Sequence, residues 1–268
     1  MLIDTHAHLT FAGLTEQVGA VIARAREAGV RKIITVAVNP GDARAALPLL
    51  AEHPELYLVA GVHPHEAQSC DRDTLTALRE ILRGDGLTDE VKRRIVGVGE
   101  TGLDFHYDFS PPAQQEKVFE AHLELAAALN LPVVIHARES EARVCDMLAD
   151  HAGLEGRVVF HCFSAEPAVA RRVLDFGGYC SFTGVVTFRK SEVIQQAARY
   201  VPASRMMLET DAPYLTPEPV RRIRPNEPGL LVHTARFLAD LRGETLSALS
   251  AETTANAARF FCLPEDEL

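Results

Sequence analysis

Short apolar runs alternate along this chain with longer segments whose apolar residues recur every three or four positions. The short runs predict buried β-strands, and the periodic segments predict amphipathic helices. Eight runs are predicted as strands, the first near residue 2 and the others over residues 32–36, 57–62, 95–99, 131–135, 157–160, 178–182 and 206–208. Strands that alternate with helices in this way predict a parallel sheet with helical crossovers.

The helical segments carry their own boundary signals. Gly29 is suited to end the first helix, and Ser110 followed by Pro111 is suited to begin a helix in the middle of the chain. Two further helices are predicted over about residues 230–241 and 246–261. Eight strands interleaved with helices predict the α/β class and a (β/α)₈ TIM barrel. We expect residues 1–268 to form one domain, as barrels of this length routinely do.

Composition narrows the class further. Hydrophobic residues make up 47% of the chain and charged residues 24%, which is typical of a soluble globular enzyme. Acidic residues outnumber basic ones 37 to 27, and the resulting net charge of −10 argues against a continuous basic face for duplex DNA. The five cysteines form no Cys-x-x-Cys pair, which favours reduced thiols. With no signal peptide and no membrane-spanning run in the sequence, we expect a cytoplasmic protein.

Residues that can bind metal ions fall at the predicted carboxyl ends of six of the eight strands. They are His6, His8, His63, Glu100, His136, His161 and Asp211. Each of them alone would be interpreted as a structural histidine or a solvated carboxylate. Because the carboxyl ends of barrel strands form the catalytic face, we expect these seven side chains to meet at one rim. Their number at equivalent positions predicts a metal site.

The number of these ligands indicates how many ions bind. Four of the five histidines together with the two carboxylates already exceed the needs of one tetrahedral ion and predict two sites about 3.5–4 Å apart that share a bridging ligand. Two such ions would lower the pKa of a shared water and polarise a phosphoryl oxygen. Mixed nitrogen and oxygen ligation suits Zn²⁺ or Mn²⁺, and Mg²⁺ remains compatible with the carboxylates. The sequence leaves the identity and number of the ions open.

Six motifs together resemble the TatD family of metal-dependent deoxyribonucleases, within the amidohydrolase superfamily. They are DTHAH at residues 4–8, GVHPH at 61–65, GETGLDF at 99–105, HAR at 136–138, HCF at 161–163 and ETDAPYL at 209–215. The resemblance runs from residue 2 to about residue 261. One departure is that Pro225 separates Arg224 from the Asn-Glu-Pro segment that arginine directly precedes in the family, which leaves the role of Arg224 open.

The resemblance implies a role for each candidate ligand. It implies that His6, His8 and Asp211 hold one divalent ion, that His136 and His161 hold the second, and that Glu100 bridges the two. Asp211 is placed to orient the reactive water and to accept its proton. Glu100, Asp211 and His63 are therefore the predicted catalytic residues.

Other residues are predicted to surround the metals. His63 would contact the scissile phosphate, although a packed structural imidazole is an equal alternative. Glu209 is predicted to orient a ligand histidine. Arg138, Ser164 and Arg224 are candidate phosphate contacts, with a solvated surface as the alternative for the arginine-rich loop.

The resemblance implies a metal-dependent exonuclease that degrades single-stranded DNA or DNA ends in the 3′-5′ direction. The residues leave two other functions open: an ester or amide hydrolase, such as a deacylase of D-aminoacyl-tRNA, and a metal-binding protein without turnover. DNA or RNA preference, polarity, oligomeric state and pathway also stay open. No membrane and no obligate protein partner is implied.

Overall fold

A computed structural model describes residues 1–264 of the chain. Its strands form one eight-stranded sheet in the order of the chain, and every recorded strand pair is parallel. The fold class is therefore the predicted (β/α)₈ barrel. The strands are β1 (Leu2–Ala7), β2 (Val30–Ala37), β3 (Leu56–Ala60), β4 (Ile95–Asp104), β5 (Val133–Arg138), β6 (Val158–Phe160), β7 (Tyr179–Phe182) and β8 (Met206–Leu208).

Helices follow the strands along the chain, and short 3-10 turns complete several connections. Among residues 1–264, no helix has both the length and the apolar character that crossing a membrane requires. The α-helices are α1 (Val18–Glu27), α2 (Pro40–Glu52), α3 (Arg72–Arg83), α4 (Asp89–Lys92), α5 (Pro112–Leu129), α6 (Glu141–Ala149), α7 (Pro167–Asp175), α8 (Glu192–Tyr200), α9 (Leu231–Arg242) and α10 (Leu246–Phe261).

The start of α5 corrects a prediction. Ser110 does not cap this helix, which begins at Pro112 with no side-chain cap. The Ser110 hydroxyl instead donates to the His65 carbonyl at 2.8 Å and accepts the Gln68 N–H at 2.9 Å. These two bonds tie the segment before α5 to the turn that follows β3.

Contacts divide the chain into two compact units. The first comprises Met1–Thr35, Cys162–Asp175 and the chain from Tyr179 onward, and the second comprises Val36–His161 and Phe176–Gly178. In the first unit β1 pairs with β2, β7 pairs with β8, and Ala7 bridges to Ala212. In the second unit β3, β4, β5 and β6 pair in sequence. That residues 1–268 form one domain stays a prediction.

β4 is the longest strand and extends beyond its predicted end at residue 99. It continues through Glu100 to Asp104, and its last four residues pair with β5. Two glycines permit the close pairing: Gly99 and Gly102 have φ of +134° and +140°. A Cβ at Gly102 would collide with the His136 carbonyl oxygen, and one at Gly99 would collide with that of Val134. These glycines therefore bring the polar end of β4 directly against β5.

Candidate metal centre

Two histidines from β1 lie side by side in the first unit. His6 is on β1 and His8 comes just after it, so both side chains project from the same face of an extended segment. Their Nε2 atoms are 3.3 Å apart, and both residues are buried. Two imidazoles in this arrangement can bind one cation.

Asp211 joins the two histidines. Its backbone N–H donates to the His6 carbonyl at 2.9 Å, and its Oδ1 lies 3.8 Å from the His6 Nε2 and 3.4 Å from the His8 Nε2. Tetrahedral ligands about 2.0–2.1 Å from a zinc ion are themselves about 3.3–3.5 Å apart. The three separations among these atoms are close to that spacing, so the donor set of this β1 cluster (His6, His8 and Asp211) fits a divalent ion.

A buried carboxylate, Asp4, supports the β1 cluster through hydrogen bonds to the residue before Asp211. Asp4 accepts the Thr210 N–H at 2.9 Å and the Thr210 hydroxyl at 2.6 Å. Burial raises the pKa of Asp4 to about 7, although both Thr210 bonds lower it. Asp4 thus fixes the backbone immediately before Asp211. Sequence reasoning missed this role, although Asp4 lies two residues before His6 and shares its face of β1.

Glu209 lies in the first unit, also close to the β1 strand. One of its carboxylate oxygens accepts the Cys162 N–H at 2.6 Å, and the other accepts the Thr5 hydroxyl at 3.4 Å. Glu209 is buried, so these bonds compensate for lost solvation. They hold the chain after β8 against β1 and against residue 162. That Glu209 orients a ligand histidine stays a prediction.

The second unit contains a separate β4 cluster, formed by Glu100, His63, His136 and His161. Three imidazole nitrogens surround the Glu100 Oε1: the His136 Nδ1 at 2.8 Å, the His161 Nε2 at 2.8 Å and the His63 Nε2 at 3.4 Å. The His136 Nδ1 and the His161 Nε2 are 3.3 Å apart. Two imidazole nitrogens beside a carboxylate oxygen are the donor set of a zinc-like ion, so Glu100, His136 and His161 also fit a metal.

The pKa of His63 is shifted in the opposite direction from that of His136. Burial lowers the pKa of His63 to about 4, against the opposing effect of Glu100, so the ring is neutral near pH 7. Its Nδ1 accepts the His65 N–H at 3.1 Å, which places the proton on Nε2. His63 therefore presents an N–H donor, rather than a lone pair, toward Glu100.

Asp104 orients His136 and was not assigned a role from the sequence. Its Oδ2 accepts from the His136 Nε2 at 2.9 Å and from the His65 Nε2 at 3.0 Å. Burial opposes ionisation of Asp104, but the bonds from His136 and from the Tyr107 backbone lower its pKa well below the usual range. Because Asp104 holds the proton of His136 on Nε2, the Nδ1 lone pair is directed at the position where a cation can bind.

The pKa of His136 is consistent with a cation site. Burial alone would lower it, but hydrogen bonds to Asp104 and Glu100 raise it. An imidazole between two carboxylates favours a positive charge, which either a second proton or a metal ion at Nδ1 can supply. Asp104 could have been found from the sequence, because residues 100 and 104 lie on the same face of a strand.

The predicted phosphate contacts are Arg138 in the second unit and Ser164 and Arg224 in the first. Arg138 ends β5, and its guanidinium lies 4.8 Å from the centroid of the Tyr107 ring. Ser164 and Arg224 are both exposed, and Arg224 donates to the neighbouring Ile223 carbonyl at 3.0 Å. The phosphate-binding roles of these three residues stay predictions.

Comparisons with known proteins agree with the resemblance. Residues 3–262 match a family model described as TatD related DNase. A 3′-5′ ssDNA/RNA exonuclease TatD from Edwardsiella piscicida is 36% identical over 267 residues, covering 98% of this chain and all of the relative. An uncharacterized metal-dependent hydrolase from Bacillus subtilis is 33% identical over 261 residues, covering 97% of this chain and 99% of the relative. A solved TatD homologue from Escherichia coli K12 has a TM-score of 0.91 and 28% identity over 98% of both chains.

Proposed function

Because this chain belongs to the TatD family of DNases, we propose that it is a metal-dependent nuclease that removes nucleotides from the 3′ end of single-stranded DNA. Relatives that are 33–36% identical over nearly their whole length carry the names metal-dependent hydrolase and 3′-5′ ssDNA/RNA exonuclease. The observation that carries the proposal is that each unit gathers imidazoles around a carboxylate. Such donor sets suit the ions that hydrolyse phosphodiesters.

We assign one divalent ion to the β1 cluster and a second to Glu100, His136 and His161. Bound there, Zn²⁺, Mn²⁺ or Mg²⁺ would lower the pKa of a water molecule and polarise the phosphate. The mixture of nitrogen and oxygen donors favours Zn²⁺ or Mn²⁺ over Mg²⁺. The bridging role of Glu100 is part of this proposal and rests on the family resemblance.

The protein's own residues would handle the proton and the phosphate. Asp211, the most exposed member of the β1 cluster, would accept a proton from the attacking water as a general base. His63 is neutral and carries its proton on Nε2, so it would donate to a phosphate oxygen and stabilise developing negative charge.

The net charge of the protein favours a substrate that binds through few phosphate contacts. A net charge of −10 disfavours a long basic track along duplex DNA, whereas the terminus of a single strand needs few contacts. We propose Arg138, Ser164 and Arg224 as the residues that contact the phosphate backbone of that strand, and Glu209 as a residue that orients a ligand histidine. We place the reaction in the cytoplasm, which the cysteine usage favours.

The test is product mapping with purified, metal-analysed protein. A 5′-labelled linear oligodeoxynucleotide incubated with Mn²⁺ should shorten progressively to a ladder, while a closed circle of the same sequence and a 3′-blocked strand should persist. The Asp211→Asn variant should lose this activity. Equal degradation of circles and linear strands would refute the exonuclease. Turnover of an aminoacyl-tRNA ester without turnover of oligonucleotides would refute the nuclease and support the ester hydrolase.

A further inference from the structure

Three aromatic side chains are exposed on the segment that follows β4. Phe105, Tyr107 and Phe109 have 36%, 42% and 59% of their surface exposed. The Tyr107 and Phe109 rings lie 5.4 Å apart, and the His65 ring packs against both, at 5.5 Å from Tyr107 and 4.7 Å from Phe109. Large apolar side chains are usually buried, so a contiguous exposed group of rings indicates a binding surface. We name His65, Tyr107 and Phe109 the aromatic platform.

The platform is attached to the β4 cluster through Asp104. One oxygen of Asp104 accepts from the His65 Nε2 at 3.0 Å, and the other accepts the Tyr107 N–H at 3.1 Å. The His65 and His63 rings are themselves in contact, with centroids 4.3 Å apart. A molecule that contacts His63 can therefore extend directly onto the platform.

Positive charge accompanies the exposed rings. The Arg138 guanidinium lies 4.8 Å from the centroid of Tyr107, which is cation–π distance. Exposed rings beside an arginine match the way proteins bind single-stranded nucleic acids, in which aromatic side chains stack on bases and cations contact phosphates. A purely apolar protein partner would gain less from a cation at this position.

We propose that the aromatic platform stacks the unpaired bases next to the bond that is cut, and so selects single strands. The inference rests on the proposed nuclease function and identifies the residues that recognise its substrate. In a duplex, every base pair except the terminal one is covered on both faces by its neighbours, so successive bases of an intact duplex cannot stack on Tyr107 and Phe109. Arg138 would contact the adjacent phosphate while its own position is maintained by Tyr107.

The experiment measures stacking directly. An eight-nucleotide single strand with 2-aminopurine near its 3′ end and phosphorothioate linkages that resist cleavage is titrated with the full-length protein. The chain contains no tryptophan, so the probe can be excited selectively. Wild-type protein should quench the probe as it binds. Tyr107→Ala and Phe109→Ala should each weaken binding about tenfold and reduce the quenching, while Tyr107→Phe should retain both.

Tyr200→Ala is the matched control. Tyr200 is 42% exposed, like Tyr107, but lies in α8 of the other unit. This variant should bind and cleave like wild type. With a cleavable strand, the platform variants should show a raised KM and a nearly unchanged kcat. For an oligonucleotide with abasic sites at its 3′ end, the affinities of the platform variants and of the wild type should be equal.

The possible results separate the two proposals. If wild-type protein cleaves single strands but the platform variants match it in affinity, quenching and KM, the stacking inference is refuted and the nuclease survives. If wild-type protein with Mn²⁺ neither binds nor cleaves any oligonucleotide, both are refuted. If the variants lose affinity equally for abasic and intact strands, the rings do not stack on bases and the inference is also refuted.

Discussion

Replacing Asp104 by asparagine tests how the β4 cluster is prepared for a metal ion. The Asp104 carboxylate accepts four hydrogen bonds, two from backbone N–H groups at residues 106 and 107 and two from the Nε2 atoms of His65 and His136. An asparagine at this position has a single acceptor oxygen. If that oxygen stays with the two backbone groups, the amide NH₂ faces both imidazoles.

The consequence for His136 follows from its two ring nitrogens. Facing a donor, its Nε2 must become an acceptor, and the proton moves to Nδ1, where it donates to the Glu100 Oε1 at 2.8 Å. The lone pair that would bind a cation is then occupied. Loss of a carboxylate that orients a ligand histidine typically costs 10- to 100-fold in metal affinity, so we expect Asp104→Asn to weaken metal binding by about that factor. The lost charge-assisted bonds should also lower the free energy of unfolding by about 2 kcal/mol.

The assay is competition for Zn²⁺ or Mn²⁺ against a chromophoric chelator, with urea unfolding measured in parallel. Glu120→Gln is the control, because Glu120 forms a similar bond with the Nε2 of His151 at 2.8 Å and neither residue belongs to the β4 cluster. That variant should bind metal like wild type. A wild-type metal affinity in folded Asp104→Asn protein would refute the tautomer argument.

Three further predictions concern stability. Gly102→Ala should lower the free energy of unfolding by about 2–4 kcal/mol in urea titrations, because the new Cβ would strike the His136 carbonyl at a φ of +140°, whereas Gly153→Ala, which meets open space, should not. Burial lowers the pKa of His122 to about 4. The contribution of this histidine to the free energy of unfolding is therefore complete above about pH 6.5 and is lost as the pH falls toward 4. Between about pH 4 and 6.5, the free energy of unfolding of His122→Gln should therefore change by about 3 kcal/mol less than that of the wild type. Burial raises the pKa of Asp4 to about 7. The contribution of this carboxyl group to the free energy of unfolding is therefore present below about pH 4 and is lost as the pH rises through 7. Asp4→Asn should gain stability relative to wild type as the pH rises from 4 to 8, by at most about 4 kcal/mol, and a constant difference would contradict this.

The order of strands and helices could be predicted because apolar periodicity determines which segments are buried. The strand starting at Met206 matches its prediction, and so does the final helix over Leu246–Phe261. The predicted end of β4 was wrong because a charged residue, Glu100, was interpreted as the exit from the core. The strand continues because three imidazoles from distant positions surround the Glu100 carboxylate, and periodicity contains no information about such partners.

The candidate ligands could be predicted from the sequence, but the partners of the carboxylates that support them could not. A histidine at a strand end is conspicuous in sequence, whereas a carboxylate such as Asp4 or Asp104 looks like an ordinary surface charge. Its role depends on the group that it meets after folding, and Thr210 is 206 residues from Asp4. Strand alternation would have indicated which face each carboxylate occupies, but it could not have identified the partner.

Asp4 and Asp104 show that two buried carboxylates can support ligand clusters by opposite means. Asp104 accepts hydrogen bonds directly from imidazoles, which lower its pKa, so its charge is stabilised by the rings that it orients. Asp4 accepts mainly from Thr210, burial dominates, and its pKa rises. A neutral asparagine can replace Asp4, because the Thr210 hydroxyl can rotate to accept from the new NH₂ group. No such rotation is available to an imidazole, whose hydrogen bonds can reverse only by moving a proton to the opposite nitrogen. The charge of Asp104 therefore determines which atom of His136 can bind an ion, whereas Asp4 needs only its shape and hydrogen bonds to hold the backbone before Asp211.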